Sequence, residues 1–144
     1  WGKLEGPLEG PGMLRSITGT NPAAGVEISE AVPTGARWCL RLARFTLVTS
    51  ATVADRRVEV VITDGTNILS KFPVQTPQAA SATVPHSVNS APLLDYTDST
   101  DALISLPDLI PLFAGWTWAT VTALLQAGDN FGAPQFLVEE WLEA

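Results

Sequence analysis

The sequence RWCLRLARFTLVT at residues 37–49 decides the fold, because apolar and polar side chains alternate along it with the two-residue period of a β-strand. One face of its first half carries three apolar side chains: Trp38, Leu40 and Leu42. The opposite face carries Arg37, Cys39 and Arg41. The apolar positions then change parity to Phe45 and Leu47, and we predict a β-bulge near Ala43 that causes this change.

The next segment predicts a β-hairpin. Its first strand has an inward face formed by Val58, Val60 and Ile62. The dipeptide Asp64-Gly65 is a turn signal, and a second apolar segment follows it at residues 68–74. We therefore expect these two strands to pair with each other.

Weaker patterns follow in the second half of the chain. Residues 75–102 are small and polar, and we predict one strand near residues 79–84 with loop elsewhere. Residues 116–125 and 135–142 are rich in β-forming side chains, and a turn at residues 127–130 lies between them. These two segments are predicted to pair as a second hairpin.

About eight short strands with Gly-rich and Pro-rich connections favour an all-β fold, a single jelly-roll-like β-sandwich at residues 13–144. The preceding segment WGKLEGPLEGPG, residues 1–12, has six Gly or Pro residues and no strand or helix pattern. We expect an extended arm that a neighbouring copy or a partner holds in place. Its predicted contact residues, with the first strand residue, are Trp1, Leu4, Leu8 and Met13.

Size and composition exclude several functional classes. A chain of 144 residues is one compact domain, and its net charge of −7 opposes contacts with nucleic-acid phosphates. Cys39 is the sole cysteine, so no intrachain disulfide and no zinc cluster is predicted. No apolar run reaches the roughly 18 residues of a membrane span, and no signal peptide opens the chain. We therefore expect a soluble protein, made in a reducing compartment, that contacts neither nucleic acid nor membrane.

Charge is distributed unevenly along the chain. Residues 1–71 carry all eight basic groups and seven acidic ones, whereas residues 72–144 carry eight acidic groups and no Lys or Arg. The two halves therefore attract each other. Strands from each half could pair within one domain, or unlike surfaces of separate copies could associate and close a ring.

Residues suited to catalysis are scarce. His86 is the sole histidine, it lies in a predicted loop, and a surface or interface role is expected for it. The sequence contains no nucleophile elbow and no phosphate-binding Gly loop. The thiol pKa of Cys39 could be lowered by Arg37 and Arg41, although a small buried packing residue is the expected role. We predict no enzymatic activity, no catalytic residue and no cofactor.

Acidic residues form two notable groups. Asp95, Asp98 and Asp101 recur at every third position, which does not match an EF-hand loop, so no metal site is predicted. A cation shared by several loops or copies is the alternative. Glu139 and Glu140 are adjacent on a strand and point to opposite faces, so they cannot act as an acid and base pair. One of them is expected to contact an arginine across the sheet or an interface.

Two tryptophans offer a further candidate surface. Trp116 and Trp118 lie two residues apart on one strand face and could form an aromatic platform for a sugar or a partner. The expected alternative is that they fill the core or a subunit interface together with Trp38.

Several motifs resemble those of small virion structural proteins of tailed bacteriophages. They are the PTG turn at residues 33–35 before the Arg and Trp strand, TSATVADRRV at 49–58, DGTN at 64–67, LLQAGD at 124–129 and VEEW at 138–141. The resemblance spans roughly residues 19–142 and includes no catalytic motif.

This resemblance implies a β-sandwich that decorates or cements the capsid exterior, often as a homotrimer bound to the major capsid protein. It also implies synthesis in the cytoplasm of a bacterial host. The alternatives are a component of the neck, tail or fibre, or a module that binds a receptor or glycan. In the capsid role, Arg37, Arg41 and Arg44 are predicted to contact acidic partners such as Glu139 and Glu140.

Overall fold

The computed structural model describes residues 12–89, 101–107 and 110–142, and the backbone of residues 96–97. No described segment is a helix of the length and apolarity needed to cross a membrane. The described residues form twelve β-strands: β1 Met13–Thr18, β2 Ser29–Ala31, β3 Ala36–Val48, β4 Arg57–Thr63, β5 Ile68–Pro73, β6 Thr83–Asn89, β7 Tyr96–Thr97, β8 Ala102–Ser105, β9 Ile110–Leu112, β10 Thr117–Ala123, β11 Asn130–Phe131 and β12 Gln135–Leu142.

The larger sheet is built around the long strand β3, in the order β1-β12-β3-β6-β8-β7. One side of β3 pairs with β12 and, further along, with β11, while its other side pairs with β9 and then β6. Antiparallel pairing holds throughout this sheet except between β6 and β8, which are parallel. The alternating segment identified in the sequence is therefore the central strand.

The smaller sheet has the order β2-β10-β4-β5 and packs against the larger one. Its inner face carries Trp118, whose ring contacts Phe45 and Phe136 of the larger sheet at centroid distances of 5.8 and 5.1 Å. The molecule is therefore an all-β sandwich with its apolar core between the two sheets, as predicted. The described residues form twelve strands where about eight were expected.

One predicted hairpin is confirmed and the other is wrong. Strands β4 and β5 pair antiparallel across the Asp64-Gly65 turn. Strand β10 instead pairs with β2 and β4, and β12 pairs with β1 and β3, so the segments lie in different sheets. The turn before β11 takes the chain from one sheet to the other and does not fold it back on itself.

The segment at residues 75–102 also differs from the prediction. It contains β6 at Thr83–Asn89, displaced from the expected residues 79–84, and β7 at Tyr96–Thr97, where a loop was predicted. Pro85 is tolerated in β6 because it has a described strand neighbour on one side only. It lies opposite Thr46 of β3, and the parallel pairing with β8 begins at His86. His86 consequently lies in a strand of the sandwich and not in a loop.

Candidate functional site

The outer face of the larger sheet carries three arginines from β3: Arg37, Arg41 and Arg44. We call this surface the arginine face and include in it Leu42 of β3 and Leu137 and Glu139 of β12. Residues that are paired directly across antiparallel strands share a face, which places Leu42 beside Leu137. The arginine face therefore combines positive charge with apolar side chains.

A β-bulge shapes this surface. Leu137 lies opposite Leu42 and Val138 lies opposite Leu40, so Arg41 is the extra residue in β3. The bulge was predicted near Ala43 and occurs two residues earlier. Leu42 was expected to share the inward face with Leu40, but the bulge turns its side chain outward, where it is 45% exposed.

Each arginine of this face has a different contact. The Cζ atom of Arg37 lies 4.8 Å from the centroid of the Trp141 ring. Arg41 Nη2 is 3.4 Å from Glu139 Oε1. Arg44 Nη1 donates a hydrogen bond to Ser87 Oγ at 2.8 Å. Among the described residues of this face, Glu139 is the one carboxylate beside three guanidinium groups, so the described part of the face is basic in a protein whose net charge is −7.

Glu140 points away from the arginine face and is buried. Its carboxylate accepts hydrogen bonds from Arg15 Nη1 at 2.6 Å and from Trp38 Nε1 at 2.8 Å. Burial would raise the pKa of Glu140, but these contacts outweigh burial and lower it. The expected contact between one of the two glutamates and an arginine is therefore confirmed, with a different arginine for each: Arg41 for Glu139 and Arg15 for Glu140.

These ion pairs also bear on the uneven distribution of charge along the chain. Arg15, Arg41 and Arg56 come from the basic half of the chain and contact carboxylates from the acidic half. The two halves of the chain therefore do pair with each other, and association of separate copies stays a prediction.

The prediction that Trp118 belongs to an exposed aromatic platform is wrong. The Trp118 side chain is 1% exposed and belongs to the core together with Trp38. The alternative prediction, that these tryptophans fill the core, is therefore correct for Trp118. Trp116 precedes β10, is half-buried, and contacts the Phe113 ring edge-to-face at 5.0 Å. The two tryptophans therefore do not form a common surface.

The expected surface role of His86 is also wrong. The side chain is 1% exposed and stacks on Phe45 with a centroid distance of 4.9 Å. Burial lowers the pKa of His86 to about 4, although the contact with the Val84 carbonyl opposes this. Cys39 is buried in β3, as expected. Neither side chain is available to a substrate at the surface.

No group of three His, Cys, Asp or Glu residues able to hold a metal ion occurs in the described part of the chain. Asp95 and Asp98 lie outside the described residues, and Asp101 directly precedes β8. Trp1, Leu4 and Leu8 of the predicted arm also lie outside them. Met13 begins β1 with 66% of its surface exposed.

Sequence reasoning missed the contacts that surround Arg44. Ser87 and Asn89 of β6 and Gln135 of β12 share its surface, since Ser87 and Gln135 lie opposite Arg44 and Asn89 lies opposite Leu42. The signal was the alternation of buried Val84, His86 and Val88 with outward polar residues, which Pro85 obscured.

Comparison with known proteins gives limited similarity. No protein-family model matches the chain, and no curated protein matches it. The crystal structure of the T13 particle of infectious bursal disease virus is similar at 15% identity and a TM-score of 0.40, covering 94% of this chain and 36% of that one. The structure of the Gx strain of this virus has 10% identity and a TM-score of 0.28, covering 92% and 41%. This chain therefore spans less than half the length of those chains.

Proposed function

We propose that this protein is a non-enzymatic structural component of a virion, a capsid decoration or cement protein of the tailed-phage type. The observation that carries this proposal is the arginine face, a sheet surface on which Arg44 and Leu42 are exposed and Arg37 and Arg41 are half-buried. A surface of mixed apolar and charged character is suited to a protein partner. We assign it to contact with an acidic surface of the major capsid protein.

The motifs that resemble those of phage virion proteins contain residues that stabilise the sandwich. TSATVADRRV contains Arg56 and LLQAGD contains Asp129, and these two side chains form a buried ion pair. VEEW contains Glu140, which accepts the indole hydrogen bond of Trp38. The resembling residues thus hold the sandwich together, and this agrees with a structural protein more readily than with an enzyme.

The proposed mechanism is stabilisation by binding. A protein that binds the assembled lattice and not the free subunits stabilises the lattice by RT ln(1 + [L]/Kd) per site. Many copies multiply a modest contact. We further propose that the protein acts as a homotrimer on the capsid exterior after synthesis in the bacterial cytoplasm, with the arm at residues 1–12 reaching a neighbouring subunit.

Quantitative mass spectrometry of purified particles tests this role. We expect hundreds of copies, near parity with the major capsid protein. A handful of copies would replace the capsid assignment with a neck, tail or fibre component or a receptor-binding module. Absence from particles would overturn the virion role altogether.

Sedimentation of the purified protein tests the trimer, which has three times the chain mass of 15.3 kDa.

Binding to particles that lack the protein tests the surface. We expect the Arg41→Gln, Arg44→Gln double variant to bind at least about tenfold more weakly. Arg57→Gln, Lys71→Gln is the matched control, because it also removes two positive charges but from β4 and β5 of the smaller sheet. Equal weakening by the control would remove the arginine face from the mechanism.

Deleting residues 1–12 should also weaken binding to particles and leave the domain folded. Unchanged binding would remove the arm from the mechanism.

A further inference from the structure

The arginine face contains a shallow depression of about 330 Å³ to which β1, β12, β3 and β6 all contribute. Two rows of directly opposed residues cross it. The first row is Ser16, Leu137, Leu42 and Asn89, and the second is Thr18, Gln135, Arg44 and Ser87. Polar side chains from outer strands therefore surround two leucines and Arg44.

We propose that this depression binds the carboxylate of an acidic side chain presented by a protein partner, with Arg44 as its principal contact. The inference rests on the proposed function for the source of that carboxylate, the capsid lattice. It extends the proposed function by naming the chemical group that is recognised and the residues that recognise it.

The hydrogen-bonding groups favour an anion. Arg44 donates from Nη1 to Ser87 Oγ at 2.8 Å, and a guanidinium has five N–H donors, so further donors remain for a ligand. Gln135 Oε1 accepts the Thr18 hydroxyl hydrogen bond at 2.9 Å, which leaves the amide nitrogen as a donor. Asn89 adds a second amide. No carboxylate is among the described residues that line the depression.

Arg44 differs in this respect from three other arginines of the chain. Arg15, Arg41 and Arg56 each contact a carboxylate of the same chain. Arg44 is held instead by the neutral hydroxyl of Ser87. Its positive charge is thus oriented at the surface without being neutralised by a described carboxylate.

The apolar part of the depression distinguishes a side chain from a free inorganic anion. Leu42 and Leu137 lie side by side next to the polar row and can pack against the methylene groups of a glutamate. A guanidinium fork binds the two carboxylate oxygens in parallel, which a single ammonium cannot do. Both features match an acidic side chain on a short apolar stem.

Nuclear magnetic resonance of ¹⁵N-labelled full-length protein tests the inference with small probes. The ligand is N-acetyl-L-glutamate α-amide, and the control is the neutral N-acetyl-L-glutamine α-amide. We expect saturable shifts at the Arg44 Nε–H and at the side-chain amides of Asn89 and Gln135, with Kd on the order of millimolar for one such contact. The glutamine probe should bind at least about tenfold more weakly, since it lacks the charge.

Variants assign the effect to Arg44. Arg44→Gln should abolish saturable binding, and Arg44→Lys should weaken it several-fold because the fork is lost. Lys71→Gln is the matched control, since it removes one positive charge from β5 of the smaller sheet, and it should leave Kd within about twofold. Unchanged backbone spectra verify that each variant is folded.

Three results would overturn the carboxylate assignment: equal binding of both probes, equal loss in the Lys71→Gln protein, or tighter binding of inorganic phosphate through the same residues. Particle binding separates this inference from the proposed function. If the glutamate probe binds and Arg44→Gln protein still reaches full copy number in particles, the lattice is not the source and the virion role stands. If the wild-type protein is absent from particles, the virion role fails while the probe result stands.

Discussion

Arg56 and Asp129 lie 73 residues apart in the chain and form a buried bidentate ion pair. Arg56 Nε donates to Asp129 Oδ2 at 2.8 Å, and Arg56 Nη2 donates to Oδ1 at 3.0 Å. The same carboxylate accepts the backbone N–H groups of Ser50 and Gln126. This one contact therefore joins the loop after β3 to the turn before β11.

Loss of one partner of this pair should strongly destabilise the fold. We expect Asp129→Asn to lower the free energy of unfolding by roughly 3–5 kcal/mol, because it leaves the guanidinium of Arg56 buried without its counter-charge. The double variant Arg56→Met, Asp129→Leu should cost less than the sum of the two single variants. Urea unfolding measures all of these. Strict additivity would show that the two side chains are not energetically coupled.

Acid should remove the contribution of Asp129 at low pH. Burial alone would raise its pKa, but hydrogen bonds from Arg56, Ser50 and Gln126 lower the pKa to about 2. Because the folded-state pKa lies below the unfolded value, this stabilisation is present above about pH 4 and is lost as the pH falls toward 2. Urea unfolding between pH 5 and 2 should show this loss in wild-type protein and not in Asp129→Asn.

His86 should make stability depend on pH in a separate range, between pH 6.5 and 4. Burial lowers its pKa from 6.5 to about 4, so the unfolded chain binds a proton that the folded protein does not. The contribution of His86 to stability is therefore fully present above pH 6.5 and falls by roughly 3 kcal/mol as the pH drops to 4. As His86 is the sole histidine, His86→Gln should flatten this slope. A slope that persists unchanged in the variant would contradict the assignment.

Local patterns predicted the fold where the decisive interactions are local. The alternation in β3 and the Asp64-Gly65 turn are both short-range signals, and both strands beside that turn were found correctly. The pairing of β10 and β12 was wrong because a turn signal does not tell whether the chain returns to the same sheet. Side-chain alternation is the same in either case.

The candidate site was predictable in its residue types and not in its contacts. Three arginines on β3 were recognised from the sequence, but their partners come from β6 and β12. Arg56 and Asp129 were missed because an ion pair between two loops has no periodic signature. Burial of His86 was missed because Pro85 argued locally against a strand, and the pairing with β3 outweighs that preference.

Trp118 and Trp116 should respond differently to truncation. Trp118→Ala should cost about 3–5 kcal/mol because it removes a ring that contacts Phe45 and Phe136 in the core. Trp116→Ala should cost less, since this side chain is half-buried. Trp118→Phe should recover part of the loss, because the indole Nε1 is buried without a hydrogen-bond partner among the described residues. Equal costs for both alanine variants in urea unfolding would refute the core assignment.

Substitution of Glu27 should stabilise the protein. Its carboxylate oxygens and the Thr122 hydroxyl are buried next to each other, and no hydrogen bond of good geometry satisfies them among the described residues. Burial raises the pKa of Glu27, although its contacts with Thr122 oppose this, so the contribution of this group to stability is greatest at low pH and falls as the pH rises. We expect Glu27→Gln to increase the free energy of unfolding at pH 7 by about 1 kcal/mol, since it removes a desolvated charge. The gain should disappear toward pH 4, and a gain of equal size at both pH values in urea unfolding would show that the charge is not its cause.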